Sequence, residues 1–367
     1  MRVGLNLVYL VERSGGAGTY ARELIPELLR AEPGIQITAF ASRELDPADR
    51  ATPWGREIEW VGLPVTVTHG PPWNALLALR AQWLALPRIA ARRKLDVVHG
   101  LANVAPAVAP GVATVVTLLD LIPMHHPEAM TGRERLGWRL WGVSSARRAD
   151  RVIAISEAAR ADIVSTLGLD ADRVDVTPLG VRAPDRPRAA PSGGRPMVLC
   201  VSQKRAHKNL AALVRAIAGL DATLVLPGSS GPYEDELRRL ADDLGIADRV
   251  RFPGWLEQPQ LEQLYAEAAC FALPSLDEGF GLPVLEAMAR GVPVCASNAS
   301  SLPEVVGDAG LLFDPHDVDD IRATIARLLK DPGDLGERGR LRAREFTWRR
   351  TAEATLASYR RALEGRG

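Results

Sequence analysis

Residues 273–294 read LPSLDEGFGLPVLEAMARGVPV. The apolar run Cys270–Leu273 before them has the pattern of a buried strand, Pro283 suits the first turn of a helix over Pro283–Ala289, and a second apolar run, Val292–Ala296, follows. Strand, glycine loop, helix and strand make the repeating unit of a parallel α/β sheet. Gly279 and Gly281 let the backbone come close to a ligand, and the amides of Phe280 to Leu282, at the positive end of the helix, suit a phosphate. Two carboxylates flank that point: Glu278 in the loop and Glu286 about one turn into the helix, where it can accept both hydrogen bonds of a ribose diol.

Working outward, the same alternation recurs on both sides. Strands are expected at Val3–Leu7, Ile35–Phe40, Val97–His99, Val112–Leu118, Val152–Ile155 and Val174–Thr177, with helices at Tyr20–Ala31, Ala75–Arg93 (broken at Pro87), Arg133–Ala149 and Ala158–Leu167. The pattern stops at APDRPRAAPSGGRP (183–196), a linker composition, and resumes from strand Met197–Val201 through Thr223–Leu226 and Val250–Phe252 to a helix at Val318–Leu329. The expected organisation is an N-terminal Rossmann-like domain at 1–183, a linker at 184–196 and a second Rossmann-like domain at 197–345. A last helix, Trp348–Leu363 within 346–367, follows and is expected to pack back on the first domain.

Lys+Arg and Asp+Glu balance at 45 each, which argues against bulk binding of nucleic acid. Cys200, Cys270 and Cys295 lie in apolar runs without CxxC spacing, so they read as buried thiols of a reducing compartment, with no metal site. No secretory leader and no apolar run long enough to span a bilayer is visible, and a cytoplasmic location is expected. Residues 80–160 nevertheless carry 12 Arg or Lys against 6 Asp or Glu, interleaved with Trp83, Trp138 and Trp141. That pattern suits peripheral contact with an anionic membrane face, a phosphorylated acceptor, or ordinary solvated helices with Trp in the core.

The loop Ser202–Asn209 carries Lys204 and Lys208, two of only four lysines in the chain. In an arginine-rich protein this hints at a compact ammonium placed for phosphate, against the plainer reading of a solvated basic loop capped by Asn209. Gly16, Ala17, Gly18 and Thr19 open a Gly-x-Gly-x-x-Ala pattern that would mark a dinucleotide-binding oxidoreductase, but the glycines stand several residues beyond strand Val3–Leu7 and no carboxylate closes the second strand. Asp170-Ala171-Asp172 reads as a turn rather than a metal motif, and Ser301-Leu302-Pro303-Glu304 as a capping box.

The spacing Glu278-x7-Glu286 with EGFGLP between resembles the signature of the retaining glycosyltransferases of family 4 (GT4). The resemblance runs through SGGAGTY (14–20), DVVHG (96–100), LLDLIP (118–123), AISE (154–157), PLGV (178–181), HKN (207–209), PGW (253–255), ASNASSLPEVVGDAGLLFDP (296–315) and FTWRRTA (346–352). It implies the GT-B fold, two doubly wound Rossmann-like α/β domains facing a central cleft. It further implies transfer of a hexose, as by a mannosyl- or glucosyltransferase, from a GDP- or UDP-linked donor to a glycan, glycolipid or small-glycoside hydroxyl, without a cofactor or metal. Glu278 inherits contact with the transferred sugar, Gly279 to Leu282 the distal phosphate, and Glu286 the ribose. Lys208 matches the family's phosphate-binding Lys. The Arg expected before it is replaced by Gln203, which leaves Lys204 or Arg205 to supply that charge. Gly16 to Thr19 become a loop for the donor diphosphate or an acceptor phosphate. Many relatives carry His before Asp120, where this chain has Leu119; Asp120 with backbone groups, His99, His125 or His126 are the candidates to compensate. A GT-B protein that binds without turnover, or a two-domain NAD(P) oxidoreductase, are the alternatives.

Overall fold

The computed structural model describes residues 1–12, 14–66, 81–104, 111–126, 132–182, 184 and 194–366, the side chains of 82, 132–137, 139 and 140 excepted. It falls into two compact units, one of Met1–His125, Met130–Gly180 and Trp348–Gly367, the other of His126–Ala129 and Val181–Thr347.

The first unit is built on seven parallel strands: β1 Arg2–Leu7, β2 Gln36–Ala41, β3 Glu59–Gly62, β4 Val97–Gly100, β5 Ala113–Leu118, β6 Arg151–Ala154 and β7 Val174–Val176, in the order β3-β2-β1-β4-β5-β6-β7. Chain order reverses between β1 and β4, where Leu5 pairs with His99. The second unit repeats the plan with β8 Met197–Leu199, β9 Thr223–Val225, β10 Val250–Arg251, β11 Cys270–Leu273, β12 Val294–Ser297 and β13 Leu311–Phe313, ordered β10-β9-β8-β11-β12-β13 and reversing between β8 and β11. These are two doubly wound sheets. Their inner strands are mainly apolar because helices cover both faces: β5, with Thr114 and Thr117 among its residues, and β11 are buried along their whole lengths.

Several local expectations change. The first helix spans Gly15–Ala31, so Gly16 to Thr19 form its opening turn rather than a loop before it. Gly18 is buried there, where a Cβ would stand 2.5 Å from that of Ser14, and this close approach outweighs the poor helix propensity of glycine. The strand expected at Val292 begins at Val294, β3 and β13 were not foreseen, and neither was the helix Leu335–Ala343. Of the expected Ala75–Arg93 helix, Ala75 to Arg80 lie outside the described residues; Ala81–Ala85 is π-helical and Pro87 sits in the first turn of an α-helix, Leu86–Arg92. Most of the 184–196 linker also lies outside the described residues.

The last helix, Trp348–Glu364, belongs to the first unit and is tied down by buried polar contacts as well as apolar ones. Trp348 meets Tyr20 at 6.3 Å between ring centroids, Thr351 Oγ1 donates to Pro178 O at 2.7 Å, and Asp175 receives Arg151, Ser358 and Arg361. Burial raises the Asp175 pKa, but those donors outweigh it and hold the carboxyl below its ordinary range.

Candidate active site

Ligands of doubly wound sheets bind beyond the carboxyl ends of the strands at the point where chain order reverses. In the second unit that point lies between β8 and β11, and the loops leaving these two strands carry Lys208 and Glu278. Lys208 Nζ donates to Glu278 Oε1 at 2.8 Å, and Ser275 Oγ donates to the same oxygen at 2.7 Å. Both charged side chains are largely buried, 14% and 12% exposed, so each depends on the other for its counter-charge. The backbone of Glu278 is clamped from the loop after β12: its N–H donates to Ser300 Oγ at 2.8 Å, while the hydroxyls of Ser300 and Ser301 donate to its carbonyl at 3.1 and 2.9 Å. Ser301 therefore closes no capping box; its hydroxyl makes no cap bond to the helix Leu302–Val306 because it is spent on Glu278.

Gly281 begins the helix Leu282–Ala289 with φ +101°, and a Cβ there would lie 2.6 Å from Leu302 Cδ2, so both conformation and space demand glycine. Phe280 is buried edge-on against Phe346 at 5.8 Å. Glu286 Oε2 accepts from the hydroxyl of the buried Tyr265 at 2.9 Å. Burial first, and then the Glu286 charge, push the Tyr265 pKa well up, so this hydroxyl remains a donor. Gly279 to Leu282 and both glutamates thus stand together on one strand–loop–helix unit, with Lys208 brought to them from the neighbouring loop.

The rest of that loop divides. Gln203 and Arg205 are exposed, whereas Lys204 is buried, donating to Gly228 O at 2.8 Å and standing 3.5 Å from Glu234. Burial lowers its pKa, with Glu234 opposing. Lys204 is thus consumed inside the unit, and Arg205 is the exposed cation beside Lys208. Asn209 does not cap the following helix; it adopts φ +54° and its side-chain amide donates to Pro315 O at 2.7 Å.

In the first unit, the opening turn Gly16 to Thr19 lies beyond β1, at that sheet's own reversal. His99 does not reach out from the sheet. It is fully buried, with Nδ1 2.8 Å from Tyr359 Oη and Nε2 2.8 Å from Thr117 Oγ1, and burial drives its pKa down to about 3. It is a neutral core histidine, not a compensating catalytic one. Leu119 N donates to Asn103 Oδ1 at 2.8 Å, and Asp120 Oδ1 accepts from Ile122 N at 3.2 Å. His125 pairs with Asp162 at 2.9 Å; His126, which groups with the second unit, lies 3.7 Å from Asp277. Trp83 packs edge-on against Trp141 under Arg148, and Trp138 packs on the core, each remaining partly exposed. Side chains of Arg133, Arg135 and Arg139 lie outside the described residues.

Asp170-Ala171-Asp172 forms the turn expected of it, with Asp170 accepting from Asp172 N at 3.0 Å. Among the described residues no group of three or more His, Cys, Asp or Glu is placed to hold a metal ion, and no helix is long and apolar enough to cross a membrane. Tyr265, Ser275 and Ser300 were not foreseen. The pair Ser300-Ser301 after an apolar strand was the available signal; Tyr265 gave none, because its partner lies 21 residues away.

Residues 181–346 match the family model of glycosyl transferases group 1, and residues 14–183 that of glycosyltransferase family 4. The chain is similar to the MMP alpha-(1->4)-mannosyltransferase of Mycolicibacterium hassiacum, at 32% identity over 99% of this chain and 98% of that protein. It is also similar to the D-inositol 3-phosphate glycosyltransferase of Mycolicibacterium smegmatis, at 38% identity over 59% of this chain and 54% of that one. Among solved structures, the sucrose-phosphate synthase of Thermosynechococcus elongatus has the same fold, with TM-score 0.80 and 24% identity over the whole of both chains.

Proposed function

We propose, from the premise that this chain belongs to the group 1 glycosyltransferases of family 4 and is a glycosyltransferase of the GT-B fold, that it moves a hexose from a GDP- or UDP-linked donor to an acceptor hydroxyl with retention at the anomeric carbon. Mannose is the first sugar to test, since the relative covered almost end to end is a mannosyltransferase. The acceptor is a hydroxyl of a glycan, glycolipid or small glycoside.

One observation carries this reading: a Lys208–Glu278 pair at 2.8 Å, at the reversal point of a doubly wound sheet, beside a helix that starts on a positive-φ glycine. A donor diphosphate would draw Lys208 away from Glu278, and the carboxylate released would accept hydrogen bonds from the sugar. The anomeric carbon–oxygen bond to the diphosphate then breaks as the acceptor oxygen bonds to the same face. The acceptor's proton passes to the departing phosphate oxygen. Lys208 and the amides of Phe280 to Leu282 stabilise the charge growing on that leaving group, which is preorganised electrostatic catalysis. Arg205, exposed beside Lys208, would assist, and Glu286 holds the ribose. In the first unit, Gly16 and Ala17 offer first-turn amides at a helix start to a phosphate, while Gly18 N is already donated to Ser14 O at 3.3 Å.

A thermal-shift panel of UDP, GDP, ADP and TDP identifies the base, and turnover with the matching nucleotide sugars tests the reaction, with and without EDTA. Stabilisation by one nucleoside diphosphate and EDTA-resistant transfer are expected. Transfer abolished by EDTA and restored by Mg²⁺ or Mn²⁺ would overturn the metal-free mechanism.

A further inference from the structure

We infer that His126 is a positioning residue for the transfer, holding the residues that immediately precede Lys208 and Glu278 and through them the geometry of that pair. His126 Nε2 lies 3.7 Å from Asp277 Oδ2, and its ring faces the ring of His207 at 5.6 Å between centroids, tilted by 36°. All three residues group with the second unit. Asp277 is the residue before Glu278, and His207 is the residue before Lys208.

The two loops are also joined by Leu276 N donating to His207 O at 2.8 Å and by the Lys208–Glu278 pair itself. His126 adds a further tie, made by a side chain to two side chains. His207 is suited to this. It is 4% exposed, its Nδ1 has no hydrogen-bond partner among the described residues, and burial first, then the charges of Lys208, His126 and Arg205, bring its pKa down to about 3. A neutral ring offers His126 a packing surface without repelling the neighbouring Lys208. The 3.7 Å approach to Asp277 is longer than a direct hydrogen bond, so the tie is one of packing and proximity. Because adjacent residues share a backbone, a shift of Asp277 or His207 moves Glu278 or Lys208 with it, and misplacement of reacting groups by about 1 Å costs on the order of 100-fold in rate.

The inference uses the reading of Lys208 and Glu278 given above, and one arm of its test needs no turnover. The coupling of Lys208 to Glu278 is measured by a double-mutant cycle of unfolding free energies (Lys208→Met, Glu278→Gln) in the wild-type, His126→Ala and His126→Gln backgrounds. The coupling should fall by at least half in His126→Ala, with His126→Gln between that and wild type, and Gln stands in if the alanine variant is too unstable. Unchanged coupling in both backgrounds overturns the inference, whether or not the protein turns over a sugar donor. In the second arm, kcat should fall about tenfold in His126→Ala while nucleoside diphosphate Kd rises by a clearly smaller factor, since Glu286 and the loop amides still hold the nucleotide. Loss of kcat and Kd by the same factor, or unchanged kcat, also overturns it. Absence of turnover by the wild-type protein counts against the glycosyltransferase reading alone.

Discussion

Lowering the pH from 7 to 5 should weaken the first unit through His99. The buried ring has its pKa driven from 6.5 down to about 3, while in the unfolded chain it returns to its ordinary value. Between those two values the unfolded state takes up a proton that the native state refuses. The contribution of His99 is therefore nearly complete above 6.5 and is lost as the pH falls toward 3. Integrating the unfolded-state titration from pH 7 to 5 gives about 1.4 pH units of linkage, or ~2 kcal/mol, with the native ring still neutral. The packing explains why it refuses the proton. A neutral imidazole has one donor and one acceptor, which match the Tyr359 and Thr117 hydroxyls at 2.8 Å each, and Tyr359 and Thr117 are themselves buried. The assay is urea unfolding of wild type and His99→Gln at pH 5, 6 and 7 at constant ionic strength. Removing a bonded ring should cost about 1–3 kcal/mol at pH 7, and the gap between the two proteins should shrink by ~2 kcal/mol by pH 5. His207, with its pKa also near 3, adds a similar pH dependence to both proteins and cancels in the difference. A gap constant to within ~0.5 kcal/mol across the range would show that His99 is not held neutral and would refute the argument.

Further outcomes concern the site. Glu278→Gln should act chiefly on kcat and Glu286→Ala chiefly on donor KM, because the first residue pairs with Lys208 and the second sits one helical turn away on Tyr265; near wild-type kinetics for Glu278→Gln would count against the catalytic assignment. Lys208→Ala should lose about 3 kcal/mol of transition-state stabilisation in kcat/KM, and an unchanged value would make it a structural cation. Gly281→Ala should destabilise the second unit by ~2–4 kcal/mol, from φ +101° and the 2.6 Å approach to Leu302 together; unfolding at the wild-type urea midpoint would show that the loop adapts.

The alternation of apolar runs with helical patterns made both sheets legible, because parallel strands buried on two faces leave mainly apolar runs such as VVTL in β5 and CFAL in β11. The Glu278–Glu286 loop was legible for a local reason: glycine, proline and carboxylate positions within nine residues define the turn, the helix start and the acceptors. What escaped depends on contacts distant in sequence. His99 reads as a strand-end histidine until Tyr359, 260 residues later, takes one of its nitrogens. Lys204 and Lys208 are alike in sequence, four residues apart, yet one is claimed by Gly228 and Glu234 and the other by Glu278. β3 escaped because EWVG, an edge strand exposed at both ends, offers no continuous apolar run.

The most direct test of the proposed chemistry is analysis of the product formed from an α-linked nucleotide sugar, GDP-mannose first and UDP-glucose second, with an oligosaccharide or glycoside acceptor. The linkage is read from the one-bond carbon–proton coupling at the new anomeric centre. The expected result is an α-linked product formed by wild type and formed far more slowly by the Glu278→Gln and Lys208→Ala variants. A β-linked product would contradict retention, and equal product from wild type and both variants would contradict the assignment of the reaction to the Lys208–Glu278 site.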